Sequence, residues 1–206
     1  MHQFSQRDGR WAGQPLGTSV YTLGQAGCLV TAAASLLADW GAALDPGRLN
    51  GWLTVNHGYV DDGLLLLDAL TAWGARLAEW HACERVPALV ARLAARLAAG
   101  AGVLVMVDST PGGAVTTHWV RVATFTDDQR EAQVMDPWQL PGQTSVSLVR
   151  AYGATGGDAA RTILLALVYE RCQPVVTRAA VGAGLRWQAA LCHRSGVRDE
   201  DAGSDG

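Results

Sequence analysis

The stretch Val103-Leu104-Val105-Met106-Val107 is where the hydrophobic pattern of this chain changes from helical spacing to strand-like spacing. Five consecutive apolar residues bounded by glycine and polar residues are typical of a buried strand. Upstream, apolar residues recur at helical spacing in four segments: 28–40, 45–53, 64–73 and 86–97. Downstream, strands are predicted at 117–126, 131–136 and 163–169. Helices first and strands second favour an α+β fold over a doubly wound parallel sheet.

The remaining segments have weaker patterns. Residues 1–24 are polar and glycine-rich and are predicted to form an ordered loop, and 75–82 fit a short strand. Residues 145–152 are ambiguous between helix and strand, and 174–193 contain a last helix or strand. Residues 195–206 are mostly glycine, serine and acidic residues, and we expect this segment to be disordered. We therefore expect one domain, 1–170, followed by a C-terminal extension, 171–206.

The composition narrows the classes of function. The 206 residues carry a net charge of −3, with 49% hydrophobic and 17% charged residues, and no basic patch is present. A nucleic-acid partner is therefore not expected. The chain has no run of 18 apolar residues, so we expect no membrane span. The first residues lack the apolar core of a signal peptide, which predicts a cytoplasmic location at synthesis and leaves signal-independent release open.

The cysteine and histidine spacings do not resemble a metal site. The four cysteines are widely scattered and are expected to be free thiols: Cys28, Cys83, Cys172 and Cys192. His57 lies between Asn56 and Gly58 and is better explained as a residue of a helix-ending turn than as a ligand. His81 and Cys83 likewise lack further ligands at useful spacing. We expect neither a metal nor an organic cofactor.

Three short fragments carry the candidate chemistry. Cys28 follows Gly27 at the predicted start of the first long helix, where unpaired N–H groups and the helix dipole favour a thiolate. The alternative is that Cys28 is a small buried hydrophobic residue, the usual state of a free cysteine.

His118 lies on a predicted strand, where alternation places it on one face with Val120 and Val122. Asp136 ends the next strand 18 residues later, and a short hairpin would let the two side chains meet. The alternatives are a packed or surface histidine and a turn-initiating aspartate before Pro137. Together with Cys28, the pair follows the nucleophile, base and orienting group of a thiol hydrolase.

These fragments belong to a longer series that carries a family resemblance. The series is Gln6-Arg7-Asp8-Gly9-Arg10-Trp11, Gly27-Cys28-Leu29-Val30-Thr31, Asp45-Pro46, Leu49-Asn50-Gly51-Trp52-Leu53, Asn56-His57-Gly58-Tyr59-Val60, His118-Trp119-Val120 and Asp136-Pro137-Trp138. It resembles the bacterial and phage papain-like cysteine peptidase domains, in particular the branch similar to the bacteriocin-processing peptidases that cleave double-glycine leaders. The resemblance covers roughly residues 3–170.

The resemblance implies a papain-like fold, with an N-terminal helical part packed on a C-terminal antiparallel sheet. It implies Cys28 as nucleophile, His118 as general base and then acid, and Asp136 as the group that orients His118. A glutamine side chain would complete the oxyanion hole together with the backbone N–H of the cysteine. Gln6 is the first choice for this glutamine and Gln25 the second, and either could instead be a solvated surface residue.

We therefore expect a thiol hydrolase that cleaves a peptide or related amide bond through a Cys28 thioester. Trp119 and Trp138 adjoin the expected site and would shape its substrate cleft. Two other functions stay open: a non-catalytic binding or structural module of the same fold, for example in a phage particle, and an acyltransferase that uses the same three residues.

Overall fold

The structure of the protein is a computed structural model, which describes residues 1–61, 63–82, 86–111 and 116–174. The N-terminal part is mainly helical. A loop leads into three helices, α1 (Leu23–Ala26), α2 (Cys28–Asp39) and α3 (Pro46–Val55). A two-stranded antiparallel hairpin and a 3-10 helix follow: β1 (Tyr59–Val60), β2 (Leu64–Leu65) and Leu67–Trp73.

The C-terminal part is built on an antiparallel sheet. Its elements along the chain are β3 (Ala75–Ala82), α4 (Pro87–Ala98), β4 (Gly102–Asp108), β5 (Thr117–Phe125), β6 (Ala132–Met135), β7 (Ser145–Ser147), α5 (Leu148–Tyr152), α6 (Ala159–Thr162) and β8 (Leu165–Arg171). The six strands are arranged in the order β3-β8-β4-β5-β6-β7, and every pair of neighbours is antiparallel. Helices followed by an antiparallel sheet confirm the α+β prediction.

Both faces of the sheet are covered, which explains the continuous apolar run in β4. Leu104 packs on the face covered by α2, in a core that also contains Leu36 and Leu37. Val103 and Val105 pack on the opposite face, against residues of α4 such as Leu93. A strand between two such layers buries its side chains in both directions, so it is apolar at every position rather than at alternate ones.

Helices α2 and α3 begin where their sequences predict. Gly27 is the N-cap of α2, and Cys28 is the first residue of that helix. The side chain of Asp45 accepts a hydrogen bond from the backbone N–H of Arg48 at 2.8 Å, and Pro46 is the first residue of α3. An aspartate cap followed by proline is a strong helix start, because the carboxylate pairs a free N–H and proline needs none.

A buried ion pair fixes α2 relative to β5. Arg121 of β5 is 7% exposed, and its Nη2 lies 2.7 Å from Oδ2 of Asp39 at the end of α2. Its Nη1 donates to the hydroxyl of Ser35 at 3.1 Å. These contacts tie the helix that begins at Cys28 to the strand that carries His118.

One sequence prediction needs correction, and the structure decides one segment that the sequence left ambiguous. The segment 64–73 is not one α-helix: Leu64–Leu65 pairs with β1, and only Leu67–Trp73 is helical, with 3-10 geometry. Gly74 ends it with a φ of 85°, a conformation that glycine adopts without strain. The ambiguous segment 145–152 contains both forms, since Ser145–Ser147 is a strand and Leu148–Tyr152 a helix.

The C-terminal predictions fall mostly beyond the described residues. β8 extends through Arg171 and the description ends at residue 174. The expected last element within 174–193 and the expected disorder at 195–206 lie outside the described residues, as do Cys83 and Cys192. In the described ranges, no helix has the length and apolar character needed to cross a membrane.

Candidate active site

Cys28 lines a cavity whose wall also contains residues of the sheet. The cavity has a volume of about 760 Å³ and is lined by Cys28, His118 and residues of six other segments. The cysteine is half-buried, so its sulfur is accessible from the cavity without being freely solvated. Cys28 is the first residue of a 12-residue helix, a position where unpaired backbone N–H groups and the helix dipole favour negative charge.

Gly27 allows the close approach of α1 and α2 that places Cys28. A Cβ added to Gly27 would lie 2.4 Å from the carbonyl oxygen of Leu23, which is too close for any real side chain. The N–H of Gly27 donates to that same oxygen at 2.8 Å. The glycine is therefore required by the backbone of the preceding helix, immediately before the candidate nucleophile.

His118 is the second residue of β5 and is brought to Cys28 by the packing of α2 on this strand. Its side chain is buried, and its Nε2 lies 2.6 Å from Oδ1 of Asp136. With Nε2 engaged by Asp136, Nδ1 is the ring nitrogen that remains for Cys28. Burial by itself lowers the pKa of His118, but hydrogen bonds to Asp136 and Cys28 and their negative charges outweigh it and raise the pKa to about 9.

Asp136 follows β6 and is completely buried. Oδ1 accepts from His118 and from the N–H of Trp138 at 2.9 Å, while Oδ2 accepts from Nε2 of Gln139 at 2.8 Å and from the hydroxyl of Tyr152. Burial alone raises the pKa of Asp136, but the hydrogen bonds from His118, Tyr152 and Gln139 and the charge of His118 hold it below its usual value. The carboxylate therefore stays ionised, and each of its two oxygens accepts two hydrogen bonds.

The structure thus brings Cys28, His118 and Asp136 together, with the imidazole of His118 between the thiol and the carboxylate. Sequence reasoning missed the two side chains that hold Oδ2. Gln139 lies in the same turn as Asp136, three residues later, and that short spacing is a signal that could have been used. Tyr152 lies 16 residues away at the end of a helix that the pattern left ambiguous, and no local signal connects it to Asp136.

The two glutamines proposed for the oxyanion hole differ in their surroundings. Gln6 is 1% exposed, lines the cavity, and donates from Nε2 to the carbonyl oxygen of Gly24 at 3.0 Å. Its second Nε2–H is not used by that bond. Gln25 also lines the cavity but is exposed, and its Oε1 accepts from the N–H of Thr22 at 2.9 Å as a cap of α1. The geometry favours Gln6, because its side chain is buried in the cavity wall, whereas that of Gln25 is exposed and caps α1.

The loop that carries Gln6 is fastened to the turn that carries Asp136. The N–H of Gln6 donates to the carbonyl oxygen of Pro137 at 2.8 Å, and the hydroxyl of Ser5 donates to that of Gln139. Trp11 Nε1 donates to the carbonyl oxygen of Ser5 at 2.8 Å. A glutamine 22 residues before Cys28 in sequence is held beside it by contacts to a third, more distant segment.

The walls of the cavity contain both expected tryptophans. Trp119 is half-buried, and Trp138 is 47% exposed with the guanidinium carbon of Arg7 5.2 Å from its ring centroid. One part of the lining is apolar and another carries hydroxyl groups: Leu16, Leu29, Leu64 and Leu65 on the one hand, and Ser109, Thr110, Thr116 and Thr117 on the other. Such a mixture of apolar surface and hydrogen-bonding groups is typical of ligand-binding clefts.

The histidines considered as ligands lie elsewhere. His57 is exposed, with a φ of 55° in the turn after α3, and Nε2 of His81 lies 3.1 Å from Oε2 of Glu79. Across the described ranges, no cluster of three or more histidine, cysteine or acidic side chains could hold a metal ion. Cys172 is a free thiol, as is Cys28.

No family model matches the chain, and no curated protein matches it significantly. Function must therefore be argued from the site.

Proposed function

We propose that this protein is a papain-like thiol hydrolase that cleaves a peptide or related amide bond. The observation that carries the proposal is the alignment of an accessible Cys28 at a helix start, a buried His118 beside it, and a fully buried Asp136 at 2.6 Å from the far side of the imidazole ring. Nucleophile, base and orienting group in this relation are typical of cysteine peptidases.

The raised pKa of His118 favours an imidazolium next to the sulfur, so the resting site is best described as a thiolate–imidazolium pair. In the first step the Cys28 thiolate attacks the carbonyl carbon of the substrate, and the carbonyl π electrons move to oxygen. The oxyanion would be stabilised by the backbone N–H of Cys28 and by the free Nε2–H of Gln6.

The tetrahedral intermediate then collapses to a thioester. His118 transfers its proton to the leaving nitrogen as the carbon–nitrogen bond breaks, and the amine product departs. The neutral imidazole next removes a proton from water, which attacks the thioester. Collapse of the second intermediate releases the acid and the thiolate, with the proton back on His118. No step requires a cofactor.

The arrangement of elements supports the papain-like form of the proposal. The candidate nucleophile heads a helix of the N-terminal part, while the base and its orienting carboxylate come from adjacent strands of an antiparallel sheet. This is the division of residues that the sequence resemblance implies, and a half-buried Cys28 facing His118 in a cavity supports a hydrolase more than a binding module. An acyltransferase would use the same residues, and added amine acceptors would reveal it through a new amide product.

The test compares three proteins on a peptide library and on cell-wall peptide: wild type, Cys28→Ala and Cys172→Ala. Cys172 is the matched control, since it is also a free and half-buried thiol. Hydrolysis should be lost in Cys28→Ala and retained in Cys172→Ala. Equal activity of wild type and Cys28→Ala on every substrate would exclude the mechanism.

Alkylation with site mapping supplies a test that needs no substrate. At pH 6, iodoacetamide should modify Cys28 faster than Cys172, because only Cys28 lies at a helix start beside His118. Slower modification of Cys28 than of Cys172 at pH 6 would argue against an activated thiolate.

A further inference from the structure

Tyr152 contacts Asp136 on the side that faces away from His118. Its hydroxyl donates to Oδ2, while Oδ1 of the same carboxylate accepts from Nε2 of His118. The tyrosine is 9% exposed, and its ring centroid lies 5.8 Å from that of His118 at an angle of 44°. One side chain therefore touches both the orienting carboxylate and the candidate base.

The hydroxyl of Tyr152 is a permanent donor at this position. Burial, reinforced by the hydrogen bond and charge of Asp136, raises the pKa of Tyr152, so the group stays protonated over the working range of pH. A carboxylate can rotate about its Cβ–Cγ bond, and only donors fixed to both oxygens prevent that rotation. Oδ2 has two such donors, the tyrosine hydroxyl and the amide of Gln139.

We propose that Tyr152 is a positioning residue whose hydroxyl holds Oδ2 of Asp136, so that Oδ1 stays aligned with Nε2 of His118. This inference rests on the proposed function, because alignment of His118 matters chemically only if the imidazole moves protons for Cys28. The ring of Tyr152 lies in the cavity wall. Tyr152→Phe keeps that ring and removes only the hydroxyl, so it separates positioning from the shape of the cavity.

The other groups that face Asp136 are few in the described part of the chain. His118 approaches from β5, the Trp138 N–H and the Gln139 amide come from the turn after β6, and Cys28 acts through His118 from the start of α2. Loss of the Tyr152 hydroxyl leaves a buried lone pair without a donor, which makes ionisation of Asp136 harder. A less well aligned carboxylate also supports the charge of His118 less.

The experiment measures hydrolysis from pH 4 to pH 10 and the titration of the His118 imidazole by NMR in wild type and Tyr152→Phe. We expect kcat to fall about 10- to 100-fold with KM nearly unchanged, the size of effect for a hydrogen bond to a charged group. The acid limb of the profile should move to higher pH and the basic limb to lower pH. His118 should titrate at lower pH than in wild type.

Tyr169→Phe is the matched control, because the hydroxyl of Tyr169 is also buried and donates to a backbone oxygen, that of Leu67. It should lower stability without altering the pH profile. If Tyr152→Phe does not fold, Gln139→Leu can be used, because it removes the other donor at Oδ2. It should move the acid limb of the pH profile to higher pH and the basic limb to lower pH, as expected for Tyr152→Phe.

Unchanged titration of His118, or a profile that superimposes on wild type, would overturn the role of Tyr152. If wild type hydrolyses nothing, the proposed function fails separately, and the imidazole titration still decides whether Tyr152 aligns the pair.

Discussion

Asp136→Asn removes one negative charge from the site while it keeps the size of the side chain and an oxygen for Nε2 of His118. The amide nitrogen would replace Oδ2, where the hydroxyl of Tyr152 and the side chain of Gln139 now donate. Both partners can adapt, since a tyrosine hydroxyl also accepts and a glutamine amide can turn over. The variant therefore tests the charge of Asp136 more than the fold.

The magnitude follows from the pKa of His118. A value of about 9, compared with the ordinary 6.5, means that the site favours the imidazolium by about 3 kcal/mol. Burial acts in the opposite direction, so Asp136 and Cys28 together contribute more than this. A nearby opposite charge moves a pKa by about one to three pH units. Loss of the Asp136 charge should therefore bring the pKa of His118 in the variant down to about 7.

The assay is kcat/KM against pH on the best peptide found for wild type, with the His118 imidazole titrated in parallel. At pH 8 an imidazole with a pKa of about 9 is roughly nine-tenths protonated, while one with a pKa of about 7 is roughly one-tenth protonated. The variant should accordingly lose about tenfold more activity at pH 8 than at pH 6.

The matched control is Asp128→Asn, which removes the same charge from the exposed turn between β5 and β6. It should leave the pH profile unchanged. The reasoning is refuted if Asp136→Asn retains the basic limb of wild type, because the charge of Asp136 would then have no part in protonating His118.

Three further predictions concern the oxyanion hole, the helix start and the pH dependence of stability. Gln6→Ala should lower kcat about 100- to 1000-fold in steady-state assays. Gln25→Ala should lower kcat well under tenfold and should act mainly on thermal stability. A larger loss of kcat in Gln25→Ala than in Gln6→Ala would assign the oxyanion hole to Gln25. Gly27→Ala should lower the free energy of unfolding by about 1–3 kcal/mol in urea titrations, because its Cβ would lie 2.4 Å from a backbone oxygen. The control is Gly51→Ala in the exposed middle of α3, where nothing lies within 4 Å of the added Cβ. This variant should raise the free energy of unfolding by about 0.5–1 kcal/mol. The folded pKa of His118 lies above its unfolded value, so the contribution of this group to stability is fully present below pH 6.5 and is lost as pH rises through 9. In wild type the Cys28 thiol titrates in the same interval and opposes this loss. The fall in the free energy of unfolding should therefore be measured in Cys28→Ala, and it should be absent in the double variant Cys28→Ala/His118→Gln.

The parts of the fold set by local pattern could be predicted from sequence. α2 follows from helical spacing after Gly27, and α3 from the Asp45-Pro46 start. The contact between His118 and Asp136 could also be anticipated, since a short hairpin between consecutive strands leaves few ways to pair them. In each of these cases residues close in sequence decide the geometry.

The parts that could not be predicted depend on distant segments or on small energy differences. Tyr152 reaches Asp136 only because α5 packs beside the end of β6, and Gln6 reaches the cavity only because its loop bonds to Pro137. The apolar spacing of the segment 64–73 fits one α-helix, whereas pairing with β1 places its first two residues in a strand. Tertiary contacts override local preference there.

The energetics of the buried pair supply an independent argument for function. Two ionised groups as buried as His118 and Asp136 are costly to desolvate, and an apolar pair of similar size would often be as stable or more so. Instead, Asp136 accepts hydrogen bonds from four donors, and the side of the His118 imidazole that faces away from Asp136 lies next to the accessible Cys28. Stability alone does not explain why two ionised groups are buried next to an open cavity. Strongly perturbed groups that line a cleft are characteristic of sites that move protons, which is the role that the proposed hydrolase assigns to His118.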